Sequence, residues 1–295
     1  MLFLKIEQLC SNILQKFVCY EMKRFLLLTP KMRGSEGFIV FVPTILLLFL
    51  FGVKSELCQA NCPRDFLRTE TDSCMIGLPS SLSYCAAHER CLNEGLSRHL
   101  RLFMVGWNQK AIPKYFPQFS VVPTSITALL NRSDNLREGW RVGDPGRPRF
   151  VTGLGDLSIS WQHPEPNRID QCVAVYISGN LHDNEQSACN STGVVCEISR
   201  KPWSKEVETF QRNWPYQMPT LFLPDKVMNE GCFFHHKARS LLSCAKMCKI
   251  HLACRTIYFN SVNSTCALSL YVDSLLPAEM QDLGNTWTRY GRPEW

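Results

Sequence analysis

Hydrophobic positions fall into three regimes along the chain. The first is a block: Phe38 to Gly52 reads FIVFVPTILLLFLFG, follows Lys31 and Arg33, and precedes Val53-Lys54-Ser55 at the spacing of a cleavage site. It predicts a secretory h-region inside an N-terminal segment 1–55, with Met22 or Met32 as alternative starts to Met1. The block is shorter than the roughly 20 residues of a spanning helix, and Pro43 interrupts it. The competing reading is a type II plasma membrane protein, its N-terminus held in the cytoplasm by Lys5, Lys16, Lys23, Arg24, Lys31 and Arg33.

The second regime is helical. Leu82 to Leu96 spaces its apolar residues to put Cys91 inward and is predicted to end at Gly95, and Thr124 to Asn135 reads as a second helix capped by Thr124 or Ser125. The third regime is short β runs. HLRLFMV at 99–105 is one, and others fall at 139–144, 149–153, 157–161, 172–178 and 193–199. Residues 106–122 are irregular, aromatic and basic, and read as a packed surface loop with a partner-binding loop as the alternative. Helices first and small antiparallel sheets later predict a disulfide-rich α+β fold.

Charge narrows the partners little. Removing residues 1–55 takes away seven of the 32 basic and three of the 26 acidic residues, leaving 25 against 23. No Lys/Arg cluster interleaved with aromatics follows, so nucleic acid is excluded as a partner. The nucleophile elbow, zinc-protease helix, phosphate loop and dinucleotide fingerprint are all missing, and the chain reads as a non-enzyme.

Of 15 cysteines, Cys10 and Cys19 precede the cleavage site, leaving an odd set beyond it. They form two groups around a cysteine-free stretch, which predicts two domains, 56–198 and 231–295, joined by an ordered linker 199–230 with a short helix near Lys205 to Arg212. In the second domain Cys244 and Cys248 lie four apart on one face of a predicted helix, packed on strands Ala253 to Phe259 and Thr265 to Val272 with a turn at Asn260 to Asn263. His235, His236 and His251 sit among these cysteines, but the spacing lacks the paired knuckles of zinc sites. Sequons at Asn131, Asn190 and Asn263 are predicted N-glycosylation sites of a secreted protein.

Several of these stretches together resemble the C-type lectin-like domain, over about Cys62 to Ile198. The resemblance rests on CPRDFLRTETDSC, the helix carrying Cys91, Trp140-Arg141-Val142-Gly143, Trp161, Glu165-Pro166-Asn167, and Cys172, Cys189 and Cys196-Glu197. It implies bridges Cys62–Cys74, Cys91–Cys196 and Cys172–Cys189, leaving Cys58 and Cys85 to pair with each other. It also implies a calcium ion that holds two hydroxyls of a mannose-type sugar, with Glu165, Asn167, Asp170 and Asp183 as oxygen ligands. The pattern departs at Leu181-His182-Asp183, where His182 stands in place of an Asn whose amide oxygen would ligate the ion, with Asn184 as its possible substitute. The alternative is a scaffold that has lost calcium, its acids ordinary solvated loop residues, serving as a calcium-independent protein-binding or adhesion molecule.

Gly231 to Tyr290 is similar to a PAN/apple module, which implies Cys244–Cys266 and Cys248–Cys254 and a protein-binding role. Cys232 then lacks the family partner: it is free, joined to Cys58 or Cys85, or bonded to another chain as a covalent dimer. The reading as a whole is a secreted, extracellular recognition protein whose partners are glycans or glycoproteins.

Overall fold

The computed structural model describes residues 62–131, 133–188, 190–203, 206–224, 229–284 and 286–295. The apolar block 38–52, Cys58 and the Cys189 half of the expected Cys172–Cys189 bridge lie outside them. No described helix is long and apolar enough to cross a membrane. Residues Cys62–Trp295 form one compact α+β unit with three antiparallel sheets.

The first sheet runs in the order β1 (Leu67–Arg68), β2 (Cys74–Pro79), β8 (Gly193–Ile198) and β3 (Leu102–Met104). A helix, Tyr84–Ser97, packs on it with Tyr84, Ala87, His88, Cys91 and Gly95, a set recurring every three or four residues. Gly95 lies inside this helix rather than ending it. A Cβ there would meet the Leu100 carbonyl oxygen at 2.6 Å, so close approach to the following strand requires glycine. The helix stops two residues later, and His99 takes the left-handed turn with φ of 58°.

The second sheet is ordered β5 (Arg141–Val142), β4 (Val121–Thr127), β6 (Val173–Ile177) and β7 (Asn180–Asn184). It corrects the helix expected at Thr124 to Asn135. Its β-branched run pairs with β6 and β5, and the Thr124 hydroxyl expected as a cap instead donates to the Ala174 carbonyl at 2.7 Å. The β runs expected at 149–153 and 157–161 are turns instead. Gly153 and Gly155 interrupt them, and their backbone is held locally, by Thr152 exchanging hydrogen bonds with Gly139 and Trp140 and by a single bridge from Trp161 to Leu181.

Residues 109–115 coil into a 3-10 turn and a one-turn helix that bury Ile112, with Phe116 and Phe119 buried just beyond. Gly77 and Gly193 make room for these rings, since a Cβ at Gly193 would lie 2.4 Å from Phe119. The segment is thus part of the core.

The third sheet is ordered β10 (Phe233–Lys237), β12 (Thr265–Leu270), β11 (Cys254–Asn260), β13 (Trp287–Gly291) and β9 (Gln211–Arg212). A helix, Leu241–Ile250, is capped by the Ser240 hydroxyl, which accepts from the Ser243 N–H at 3.2 Å. The helix expected near Lys205 to Arg212 is not there: Arg212 and Gln211 are extended and pair with Tyr290 and Gly291, a ladder that overrides local propensity.

Five bridges join described residues: Cys62–Cys74, Cys91–Cys196, Cys244–Cys266, Cys248–Cys254 and Cys85–Cys232. The last corrects both the Cys58–Cys85 pairing and the covalent dimer through Cys232. The Gln186 amide holds Gly231 from both sides, at 2.8 and 3.1 Å, and so brings Cys232 within 5.6 Å (Cα to Cα) of Cys85, inside disulfide reach. His88 stacks on Tyr271 across the same junction at 5.0 Å, and one hydrophobic core runs from Phe66 to Leu275.

Candidate functional site

The hairpin of β6 and β7 and the loop that precedes it bring the candidate ligands together. In β7 alternate residues face inward, so Leu181 and Asp183 are buried while His182 is half-buried. Leu181 pairs with Trp161, whose ring lies 4.6 Å from that of buried Trp140. This apolar base fixes the loop that follows Trp161.

Asp183 then closes the loop. Its two carboxylate oxygens accept from the successive backbone N–H groups of Asn167 and Arg168, each at 3.2 Å. The Arg137 guanidinium donates to the Glu165 carbonyl at 3.1 Å and ties the other side of the loop to residues before Trp140. The Glu165–Pro166 and His163–Pro164 peptides are both cis.

Glu165 carries the most perturbed chemistry of the loop. Its Oε1 accepts from the Asn167 amide at 2.8 Å and lies 3.4 Å from His182 Nδ1, while Oε2 is buried without a hydrogen-bond partner among the described residues. Burial first, and the neighbouring Asp183 carboxylate second, push its pKa up to about 7. At neutral pH this carboxyl sits at its own titration point.

Asp170 stands apart from this group. Both its oxygens accept from the Arg168 guanidinium, at 3.1 and 2.7 Å, and its backbone carbonyl accepts from the Asn229 amide at 2.7 Å. Glu165, Asn167 and Asp183 thus converge, with His182 at their edge. Asp170 faces Arg168. Sequence reasoning missed Arg168, Arg137 and Asn229. Only Arg168 left a signal, a cation two residues before the acid that it neutralises.

Calcium takes six to eight oxygens. Each Asp183 oxygen already accepts one backbone hydrogen bond, which leaves one lone pair on each, and Asp170 is turned to Arg168. Imidazole at His182 is a poor ligand for a hard cation. Among the described residues no three Asp, Glu, His or Cys side chains gather as a metal site. As arranged, Glu165, Asn167 and Asp183 bring together fewer side-chain oxygens than the full calcium shell.

A second acidic pair lies under the first sheet. Glu197 accepts from the Ser73 hydroxyl at 2.5 Å and the Asn108 amide at 2.7 Å, and Asp144 accepts from the Trp107 N–H at 3.0 Å and the Ser125 hydroxyl at 3.1 Å. Burial raises Asp144 to about 6, and burial followed by the Asp144 charge raises Glu197 to about 7. Both side chains are almost fully enclosed.

No protein-family model matches the chain, and neither does any curated protein. Among solved structures it is similar to the C-type lectin CEL-I from Cucumaria echinata, at 16% identity and a TM-score of 0.35 over 48% of this chain and 99% of that one. It is also similar to the cow C-type carbohydrate-recognition domain of CD23, solved in the presence of an oligosaccharide, at 16% identity and 0.33 over 48% and 98%. A calcium-independent type II antifreeze protein gives 13% identity and 0.31 over 47% and 95%. Likenesses this small carry no argument about what the present chain binds.

Proposed function

We propose that the chain is an extracellular recognition protein whose loop 163–170, together with β7, contacts a glycan or glycoprotein through protein hydrogen bonds rather than through a resident cation. The commitment of both Asp183 oxygens to the loop backbone carries this reading. The exposed Asn167 amide, the Glu165 edge, His182 and Arg168 are what remain to meet a ligand, and they supply the donors and acceptors that pair with sugar hydroxyls. Five disulfides among the described residues fit an oxidising, extracellular compartment.

One observation favours a second reading, calcium-dependent binding of a mannose-type sugar. The unpartnered Glu165 Oε2 beside Asp183 is an electrostatic conflict that a cation would relieve. In that reading Glu165, Asn167 and Asp183 hold the ion, Asp170 joins them by leaving Arg168, and the ion supplies coordination to sugar hydroxyls. Titrating calcium into the chain by calorimetry separates the two. Absence of heat, with an unchanged melting temperature, supports the first, whereas binding that Glu165→Ala abolishes supports the second.

The C-terminal part, from Gly231 onward, is read as a PAN/apple-like module offering a further protein-binding surface. Asn131, Asn190 and Asn263 are read as glycan acceptors.

A further inference from the structure

Where β5 meets the third sheet, three arginines surround a single carboxylate. Asp273 is buried and accepts from Arg255 Nε at 2.9 Å, from Arg289 at 3.2 Å and from the Thr256 hydroxyl. Burial alone would raise Asp273, but Arg255, Arg289 and Arg141 outweigh it and hold this carboxyl below the ordinary range. Arg289 is fully used, since its remaining N–H groups donate to the Tyr258 hydroxyl, the Trp214 carbonyl and Thr256. The other two are not.

Arg141 is 4% exposed and Arg255 1% exposed, yet Nε and Nη1 of Arg141 and Nη1 of Arg255 are buried without hydrogen-bond partners among the described residues. Arg141 lies over the ring of Tyr216, 5.7 Å from its guanidinium carbon, is hydrogen-bonded to that side chain, and feels the attraction of Asp273 and the repulsion of Arg255. A buried charge is ordinarily paired, and a buried guanidinium N–H ordinarily bonded. Here the unpartnered donors belong to two arginines that also repel each other.

We propose that Arg141 and Arg255 bind a small inorganic anion of chloride size, which joins β5 to the third sheet. The enclosure of both arginines excludes a sugar or a peptide as occupant. The anion enters from the side of Tyr216, the one half-open residue of the group. It adds to the negative charge that Asp273, and Asp144 beside Arg255, set against the arginines.

The test is thermal unfolding of the purified chain in sodium chloride against sodium gluconate at equal ionic strength. The melting temperature should rise by about 3–6 °C for each tenfold increase in chloride above its Kd, and Arg141→Met should remove that dependence. Because Arg141→Met can fail to fold, a bromide-soaked crystal of the unaltered chain gives an independent reading. An anomalous peak should lie against Arg141 Nε and Nη1 and Arg255 Nη1. Equal melting in the two salts, or water in place of bromide at those atoms, overturns the proposal.

Discussion

Asp183 holds the loop that Glu165 equips: its carboxylate takes the Asn167 and Arg168 backbone N–H groups, and its charge helps to keep the Glu165 carboxyl protonated up to about 7. Positioning and tuning thus come from one buried side chain. Asp183→Ala leaves two backbone donors of the loop without acceptors and should cost about 1–3 kcal/mol. Hydrogen exchange at the Asn167 and Arg168 amides should accelerate first, and unchanged protection there would contradict the assignment.

Stability should fall as pH rises through neutrality. Glu165 and Glu197 have folded pKa values near 7 and Asp144 near 6, all above the ordinary carboxylate range, so the stability they contribute is fully present below about pH 4 and is lost as pH climbs to about 7. Asp273 and Glu208 act in the opposite sense: depressed by arginines in the first case and by Arg292 and Lys249 in the second, they withdraw stability as pH falls through and below the ordinary carboxylate range. The melting temperature should therefore peak near pH 4.5–5 and be lower at pH 8. Glu197→Gln should flatten the alkaline limb by an amount on the order of 2 kcal/mol, read by calorimetry across the pH series.

The Cys85–Cys232 bridge spans 147 residues and ties the first helix to the start of the third sheet. Cys85→Ser together with Cys232→Ser should cost roughly 2–5 kcal/mol of unfolding free energy. Peptide mapping without reductant should recover residues 85 and 232 in one linked fragment, and a non-reducing gel should show no covalent dimer through Cys232.

Arg168→Ala should be nearly silent for stability, within about 1 kcal/mol, because the pair it forms with Asp170 lies at the surface, with the arginine more than half exposed. The same change releases Asp170 toward Glu165. A gain in calcium affinity on this substitution would show that the Arg168 pairing is what spends that oxygen.

The helix at Tyr84–Ser97 was legible because apolar residues recur at its own period, whereas Glu165-Pro166-Asn167 carried weight only together with the other stretches, being common by chance alone. What sequence hid was long-range. Thr124 and Ser125 imitate a helix cap, yet β6, some fifty residues on, claims the segment for a sheet. Gly95 imitates a stop signal but answers to the close approach of Leu100. The contact of Asp170 with Asn229, and the bond of Cys85 to Cys232, depend on distances that no local pattern encodes.

The central claim is that the loop from His163 to Asp170 with β7 is the binding face and needs no resident cation. Glycan and glycoprotein binding of the purified chain, measured side by side in calcium and in chelator with Glu165→Ala as control, tests it most directly. The account predicts equal binding in the two buffers, lost in Glu165→Ala while the chain still unfolds cooperatively. Binding that chelator abolishes, or that survives Glu165→Ala undiminished, would contradict it.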